Sequence, residues 1–221
     1  MEIWLDTSNL GFIKNVQQMG ILCGVTTNPS IVAKSQESLE DLIEKILAIQ
    51  PGPVTVQVMA DQADSMVLQG HALREFSDRI LVKVPVTEEG LKAIYRLNQA
   101  KIPTMATAVF DPSQVLLAAR AGAEYIAPYF SRICEADVDG IQALKSMLRL
   151  LNHYKFSGKL IAASLRSAEQ VKECCEIGAH AVTLNEKVFQ EMIQDHPLTT
   201  QSLSRFAKDW ETAKKRKSLP L

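Results

Sequence analysis

Eight short, β-rich apolar runs follow one another along the chain, each succeeded by a stretch of helical periodicity. They are Ile3–Asp6, Gly24–Asn28, Val54–Met59, Ile80–Pro85, Thr104–Val109, Tyr125–Phe130, Leu160–Ser164 and Ala181–Leu184. Parallel neighbours need a crossover connection, so this alternation implies a parallel sheet. Eight such units predict an α/β fold, a closed (β/α)8 TIM barrel with an additional C-terminal helix. The 221 residues fall below the roughly 250 usual for that fold, so the loops must be short. A doubly wound sheet is the competing fold, but its G-x-G-x-x-G signature is absent.

The helices announce their ends. Ser38 and Asp41 have capping-box spacing, Asp111-Pro112 reads as a cap followed by proline at the first helical position, and Ser167 with Gln170 repeats the cap. Gly122 and Gly178 stand where helices should stop. After the eighth strand come a helix over Glu186–Gln194, a break at Pro197 and a final helix over about 200–217. Leu203, Phe206, Ala207 and Trp210 form an apolar stripe on that last helix. The stripe must cover either its own barrel or another subunit, and its large aromatics favour the subunit. The whole of 1–221 reads as one domain.

Twenty-four Lys and Arg against 25 Asp and Glu give a net charge of −1, which argues against a nucleic-acid binder working by bulk positive charge. The one basic cluster, Lys214, Lys215, Arg216 and Lys217, reads as a solvated helix end. Four cysteines, two of them adjacent, do not make a disulfide framework. No apolar run approaches the roughly 20 residues of a membrane span, and the opening MEIWLDTSN is unlike a signal peptide. A soluble, reduced, cytoplasmic protein is expected, with no membrane or nucleic-acid partner.

Barrel interiors are packed with branched apolar side chains, so polar groups at the carboxyl ends of strands need an explanation. Asp6, Thr26 with Asn28, Gln57, Lys83, Thr107, Tyr129 and Ser164 form such a series. Lys83 interrupts a run that reads as a buried strand, and lysine is rarely buried without a partner. It either snorkels or pairs with a carboxylate, or it is a nucleophile whose poorly solvated amine attacks a carbonyl. Tyr129 suits an acid/base or a core aromatic with its hydroxyl at the rim. Gln57 and Thr107 can hold a water, since both donate and accept. Asp6 and Asn28 can clamp vicinal hydroxyls, although Asp6 also fits a helix cap and Asn28-Pro29 a turn. Arg132, Ser164 and Arg166 suit a phosphate cradle near strand seven, unless the arginines pair with Glu135 or Glu169. His71, His153, His180 and His196 lack metal-ligand spacing, and no metal site is expected.

Taken together, Gly24-Val25-Thr26-Thr27-Asn28-Pro29-Ser30, Val82-Lys83-Val84-Pro85-Val86-Thr87 and Ala121-Gly122-Ala123-Glu124-Tyr125 carry a resemblance. Pro128-Tyr129 with Arg132, and Ala162-Ala163-Ser164, continue it. The chain resembles, over essentially its whole length, the short-chain branch of the transaldolase family, the fructose-6-phosphate aldolases and their transaldolase-like relatives. The resemblance implies a class I aldolase needing neither metal nor cofactor, with Lys83 as the Schiff-base lysine and Tyr129 as acid/base acting through an ordered water. Gln57 and Thr107 resemble the holders of that water. Asp6 and Asn28, supported by Thr26, resemble the contacts to a bound dihydroxyacetone portion. Arg132 and Ser164 resemble phosphate contacts, and Arg166 stands where a basic residue is usual.

The implied reaction is reversible cleavage of the sugar phosphate fructose 6-phosphate to dihydroxyacetone and glyceraldehyde 3-phosphate. A transaldolase, the alternative, passes the same lysine-bound unit to erythrose 4-phosphate. Gln57 and Tyr129 resemble the aldolase pair, where transaldolases typically carry glutamate and phenylalanine. The branch forms pentameric rings that stack into homodecamers, which suits an uncovered C-terminal helix. Met105-Ala106, Phe110, Ser131 and Asn185 replace the usual Leu-Gly, tyrosine, asparagine and proline. A noncatalytic sugar-phosphate-binding barrel is a further reading. The retained polar ring weighs against it, because buried polar groups without a use are costly.

Overall fold

The computed structural model describes residues 1–213. Its strands are β1 (Glu2–Asp6), β2 (Leu22–Thr26), β3 (Val54–Gln57), β4 (Ile80–Pro85), β5 (Thr104–Val109), β6 (Tyr125–Pro128), β7 (Lys159–Ala162) and β8 (Ala181–Leu184). All neighbouring pairs are parallel, and β8 closes on β1, giving the expected TIM barrel. The outer helices are α1 (Leu10–Gln18), α3 (Leu39–Ile49), α4 (Ala63–Phe76), α5 (Glu88–Gln99), α6 (Pro112–Ala121), α8 (Gly140–His153), α9 (Ala168–Glu176) and α10 (Glu186–Met192). Two short helices sit in the loops after β2 and β6, α2 (Pro29–Lys34) and α7 (Phe130–Glu135), and α11 (Pro197–Ala213) follows the barrel.

Caps fall where small polar residues precede the periodic runs. Ser38 accepts from the Asp41 N–H, Ser167 from Gln170, and Asp111 forms a full capping box with Gln114. Asn9, not Asp6, caps α1, so Asp6 is free of that duty. Pro197 does not break the chain; it is the first residue of α11, where a missing N–H costs nothing. That helix therefore begins three residues before the expected start at Thr200. The basic cluster, Lys214, Lys215, Arg216 and Lys217, lies outside the described residues, as does the expected helix end at 217.

The period-2 alternation of the strands sorts residues between two cores. One set, including Leu5, Val25, Val54, Val56, Val82, Val84 and Leu184, packs against the helices. The other, Trp4, Leu81, Met105, Tyr125, Ala127, Ile161, Ala163 and Ala181, forms a separate cluster inside the ring. Trp4 fits there because β2 carries Gly24 opposite it; a Cβ at Gly24 would come within 2.6 Å of the indole. Below this layer Glu2 accepts from Trp4 Nε1 at 3.0 Å, Tyr125 Oη at 2.9 Å and Lys159 Nζ at 2.6 Å, tying together the amino ends of β1, β6 and β7. The barrel is thus plugged at its amino end by apolar rings over an ion-paired floor. Its polar residues collect at the opposite mouth.

The stripe on α11 is uncovered. No residue of that helix is buried, with Leu203 61%, Phe206 55% and Trp210 39% exposed. Among the described residues no helix is long and apolar enough to cross a membrane.

Candidate active site

A cavity of about 360 Å³ opens at the carboxyl ends of the strands, within the range usual for small-molecule sites. Asp6, Thr26, Asn28, Gln57, Lys83, Met105, Tyr129, Arg132, Ser164 and Thr183 are among its lining residues. Lys83 lies on β4 between Gln57 of β3 and Met105 of β5 in direct register. It is only 5% exposed, so it does not snorkel to solvent. Its Nζ donates to the Thr27 carbonyl at 3.0 Å. That carbonyl is held still, because the Thr27 N–H and hydroxyl bond Thr55 Oγ1 and O at 3.0 and 2.7 Å. Burial pushes the Lys83 ammonium below its ordinary range, with the charge of Asp6 opposing. Burial likewise pushes the Asp6 carboxyl up, opposed by Lys83 and by the Thr26 hydroxyl that donates to it at 2.8 Å. The pocket therefore favours an uncharged amine more than water does.

Tyr129 follows β6 at the start of α7, its backbone bridged to Ala163 beside β7. Its hydroxyl lies 2.9 Å from Thr107 Oγ1, while Phe110 meets the ring edge-on at 5.6 Å and Arg132 sits over its face at 5.2 Å. Thr107 does not line the cavity; it reaches the site only through Tyr129. Among the described residues no carboxylate pairs with Arg132, since Glu135 is taken by Arg166 and Glu169 by Lys172. Ser164 enters the cavity from a left-handed backbone, φ +60°, a conformation that a non-glycine residue adopts at a cost. Arg166 is not brought in: it is exposed, bound to Glu135, and absent from the lining.

Comparison with known proteins fits this geometry. Residues 3–219 match the family model described as transaldolase/fructose-6-phosphate aldolase. The chain belongs to that family. A probable transaldolase of Symbiobacterium thermophilum is 40% identical over 98% of this chain and 100% of its own. Probable transaldolases of Clostridium acetobutylicum and Aquifex aeolicus are 39% and 38% identical, each over 96% of this chain and 99% and 97% of theirs. Among solved structures, a mandelate oxidase with an FMN adduct superposes with a TM-score of 0.57 at 15% identity, over 82% of this chain and 62% of that one, a likeness of fold alone. The family acts on sugar phosphates, and its members are enzymes of the transaldolase and aldolase types.

Met105, Phe110, Ser131 and Asn185, four of the residues that depart from the expected pattern, each have a local partner. Met105 is buried beside Lys83 and lines the pocket. Phe110 packs on the Tyr129 ring. Ser131 donates to Gln170 Oε1 at 2.9 Å, the same oxygen that accepts the Arg166 N–H at 2.7 Å, joining the loops after β6 and β7. Asn185 caps α10 and donates to the Leu165 carbonyl at 3.2 Å. Asn28 caps α2 with its oxygen, so its Nδ2 is the atom left for a ligand. Sequence reasoning missed two members of the site. Thr183 reads as an ordinary β-branched strand residue, and only its register opposite Trp4 and its period-2 face reveal it. The Thr27 carbonyl, a backbone atom, left no signal.

Proposed function

We propose that the protein is a class I aldolase that reversibly cleaves fructose 6-phosphate to dihydroxyacetone and glyceraldehyde 3-phosphate. One observation carries the reading: a buried amine, Lys83, whose one hydrogen-bond partner among the described residues is the Thr27 carbonyl, in a cavity also lined by Tyr129 and Gln57. The neutral Nζ attacks the C2 carbonyl, and the oxygen leaves as water with one proton taken up, giving an iminium. Tyr129, oriented by Thr107, supplies that proton through a water it holds with Gln57 and then takes the proton of the C4 hydroxyl by the same route. The C3–C4 bond breaks, its electron pair neutralises the iminium as an enamine, and glyceraldehyde 3-phosphate leaves. The same water returns the proton to C3. Hydrolysis then frees dihydroxyacetone and restores Lys83, giving back the proton taken up at dehydration. Asp6 and Asn28 hold the hydroxyls of the dihydroxyacetone portion, with Thr26 behind Asp6. Arg132, unpaired among the described residues, and Ser164 take the phosphate. Arg166 contributes at most to the loop that carries Ser164.

A second reading, transaldolase, is favoured by the names of the relatives, each called a probable transaldolase. It shares every step to the enamine, which then attacks erythrose 4-phosphate instead of taking a proton. Gln57 and the Tyr129–Thr107 pair support the aldolase outcome, because they hold the water and proton that release requires. We further propose one domain per chain and a homo-oligomer, a pentameric ring or a decamer of two, with α11 packed on a neighbouring subunit; the uncovered stripe supports this. Four free thiols suit a cytoplasmic setting. The chemistry is tested by borohydride reduction in the presence of fructose 6-phosphate. The adduct is expected on Lys83 and absent in Lys83→Met; an adduct on Lys101 or any other lysine contradicts the assignment.

A further inference from the structure

Three oxygens converge on the hydroxyl of Thr26, which is buried at 1% exposure: Asp6 Oδ1 at 2.8 Å, Thr183 Oγ1 at 2.6 Å and the Leu5 carbonyl at 3.5 Å. A threonine hydroxyl carries one proton. An ionised Asp6 and a backbone carbonyl can only accept, so Thr26 directs its proton to one of them. The carboxylate is nearer and charged, and charge-assisted bonds are the stronger. The short contact between the two threonines then has one proton left to fill it, that of Thr183. Thr183 must therefore donate to Thr26, and Thr26 to Asp6. With its own proton spent, Thr183 has only lone pairs for the cavity it lines, so this wall accepts a ligand hydroxyl and does not donate to one.

We propose that Thr183 is a positioning residue that holds the Asp6 carboxylate, through Thr26, in the orientation that receives the ketone end of the substrate. The proposal rests on the reading of Asp6 as a contact to the dihydroxyacetone portion. The relay crosses β1 inside the ring, from Thr183 on β8 to Thr26 on β2, and returns to Asp6 on β1, the strand between them. Trp4 of β1, two residues before Asp6, is in register with Thr183, and Asp6 is in register with Thr26, so all three side chains share the inner face of the strands. Deleting the Thr183 proton leaves Thr26 a poorer donor and free to turn toward the Leu5 carbonyl. The carboxylate loses its fixed direction and holds its own proton more tightly.

The test compares Thr183→Val, Thr183→Ser, Thr26→Val and the Val/Val double variant, each assayed for cleavage of fructose 6-phosphate across pH. Valine keeps the shape of threonine and removes the hydroxyl, whereas serine keeps the hydroxyl and removes the methyl. In Thr183→Val, kcat/KM should fall about five- to tenfold, the loss of one buried hydrogen bond, and the acid limb of the profile should move to higher pH. Thr183→Ser should stay within about twofold of wild type, and the double variant should fall no further than Thr26→Val. Thr183→Ala deletes the same hydroxyl and replaces the valine variant in the test if that one does not fold. Wild-type behaviour of the hydroxyl-deleted enzyme, an equal loss in Thr183→Ser, or additive losses in the double variant would each overturn the relay. Asp6→Asn separates the two levels. If it keeps wild-type activity, the reading of Asp6 fails and the relay with it. If it is impaired while deletion at Thr183 changes nothing, the relay alone is wrong.

Discussion

Replacing Tyr129 with phenylalanine separates what that residue does for the fold from what it does for the reaction. Among the described residues the phenol oxygen has one partner, Thr107 Oγ1 at 2.9 Å. The ring is held independently, by the edge of Phe110 at 5.6 Å and the Arg132 guanidinium at 5.2 Å, and phenylalanine keeps both contacts. Loss of one partly buried hydrogen bond lowers stability by about 0.5–1.5 kcal/mol. For a chain of this size that is a fall in Tm of only a few degrees, about 2–4 °C per kcal/mol. Removal of a general acid–base group costs about 10²–10⁴ in rate, equivalent to roughly 2.7–5.4 kcal/mol on the barrier. The catalytic loss should therefore far exceed the structural one. Free dihydroxyacetone released from fructose 6-phosphate is measured on the sample whose melting curve is recorded, and borohydride trapping at Lys83 is followed in parallel. Release should collapse while trapping persists. A rate loss under tenfold, or a loss of trapping equal to the loss of release, would refute the assignment of the phenol to proton transfer.

The other end of the substrate gives a second test. Arg132→Ala should lower kcat/KM with glyceraldehyde 3-phosphate by about one to two decades, the value of a charge-assisted hydrogen bond, and should affect unphosphorylated glyceraldehyde far less. Equal losses on both would mean that Arg132 supports the rim by its stacking on Tyr129. Ending the chain at His196 removes α11, and light scattering should then report a smaller or insoluble species; a large, soluble, fully active assembly would show that this helix is not the subunit clamp.

The barrel was legible because its period-2 strands and their capped helices are local signals, and the limits of β4, β5 and β8 agree with the sequence reading. β1 ends at Asp6 as read and starts one residue earlier, whereas β2, β3, β6 and β7 stop short of the reading at their carboxyl ends, for reasons that belong to the site. Thr27 and Asn28 leave the ladder so that Asn28 can cap α2 and the Thr27 carbonyl can meet Lys83. The N–H groups of Met59 and Ala60 turn to Gln69 Oε1, ending β3 at Gln57. Ser164 enters the left-handed region, which ends β7 at Ala162. These positions continue β-rich runs in the sequence, and tertiary contacts decide where each strand ends. Lys83 was legible because a charge inside an apolar run is unusual. Thr183 was not, since a threonine in a strand is ordinary until its neighbours around the ring are known. Arg166 showed the converse: spacing placed it with the phosphate residues, and Glu135 draws it away.

The outcome at the enamine is the central claim, and product analysis of the wild-type enzyme tests it most directly. Fructose 6-phosphate is supplied with and without erythrose 4-phosphate, and free dihydroxyacetone and sedoheptulose 7-phosphate are measured side by side. With Gln57 and Tyr129 beside the cavity, dihydroxyacetone should be released without any acceptor sugar, and sedoheptulose 7-phosphate should remain a minor product. Efficient formation of sedoheptulose 7-phosphate with almost no free dihydroxyacetone would contradict the account and make the enzyme a transaldolase.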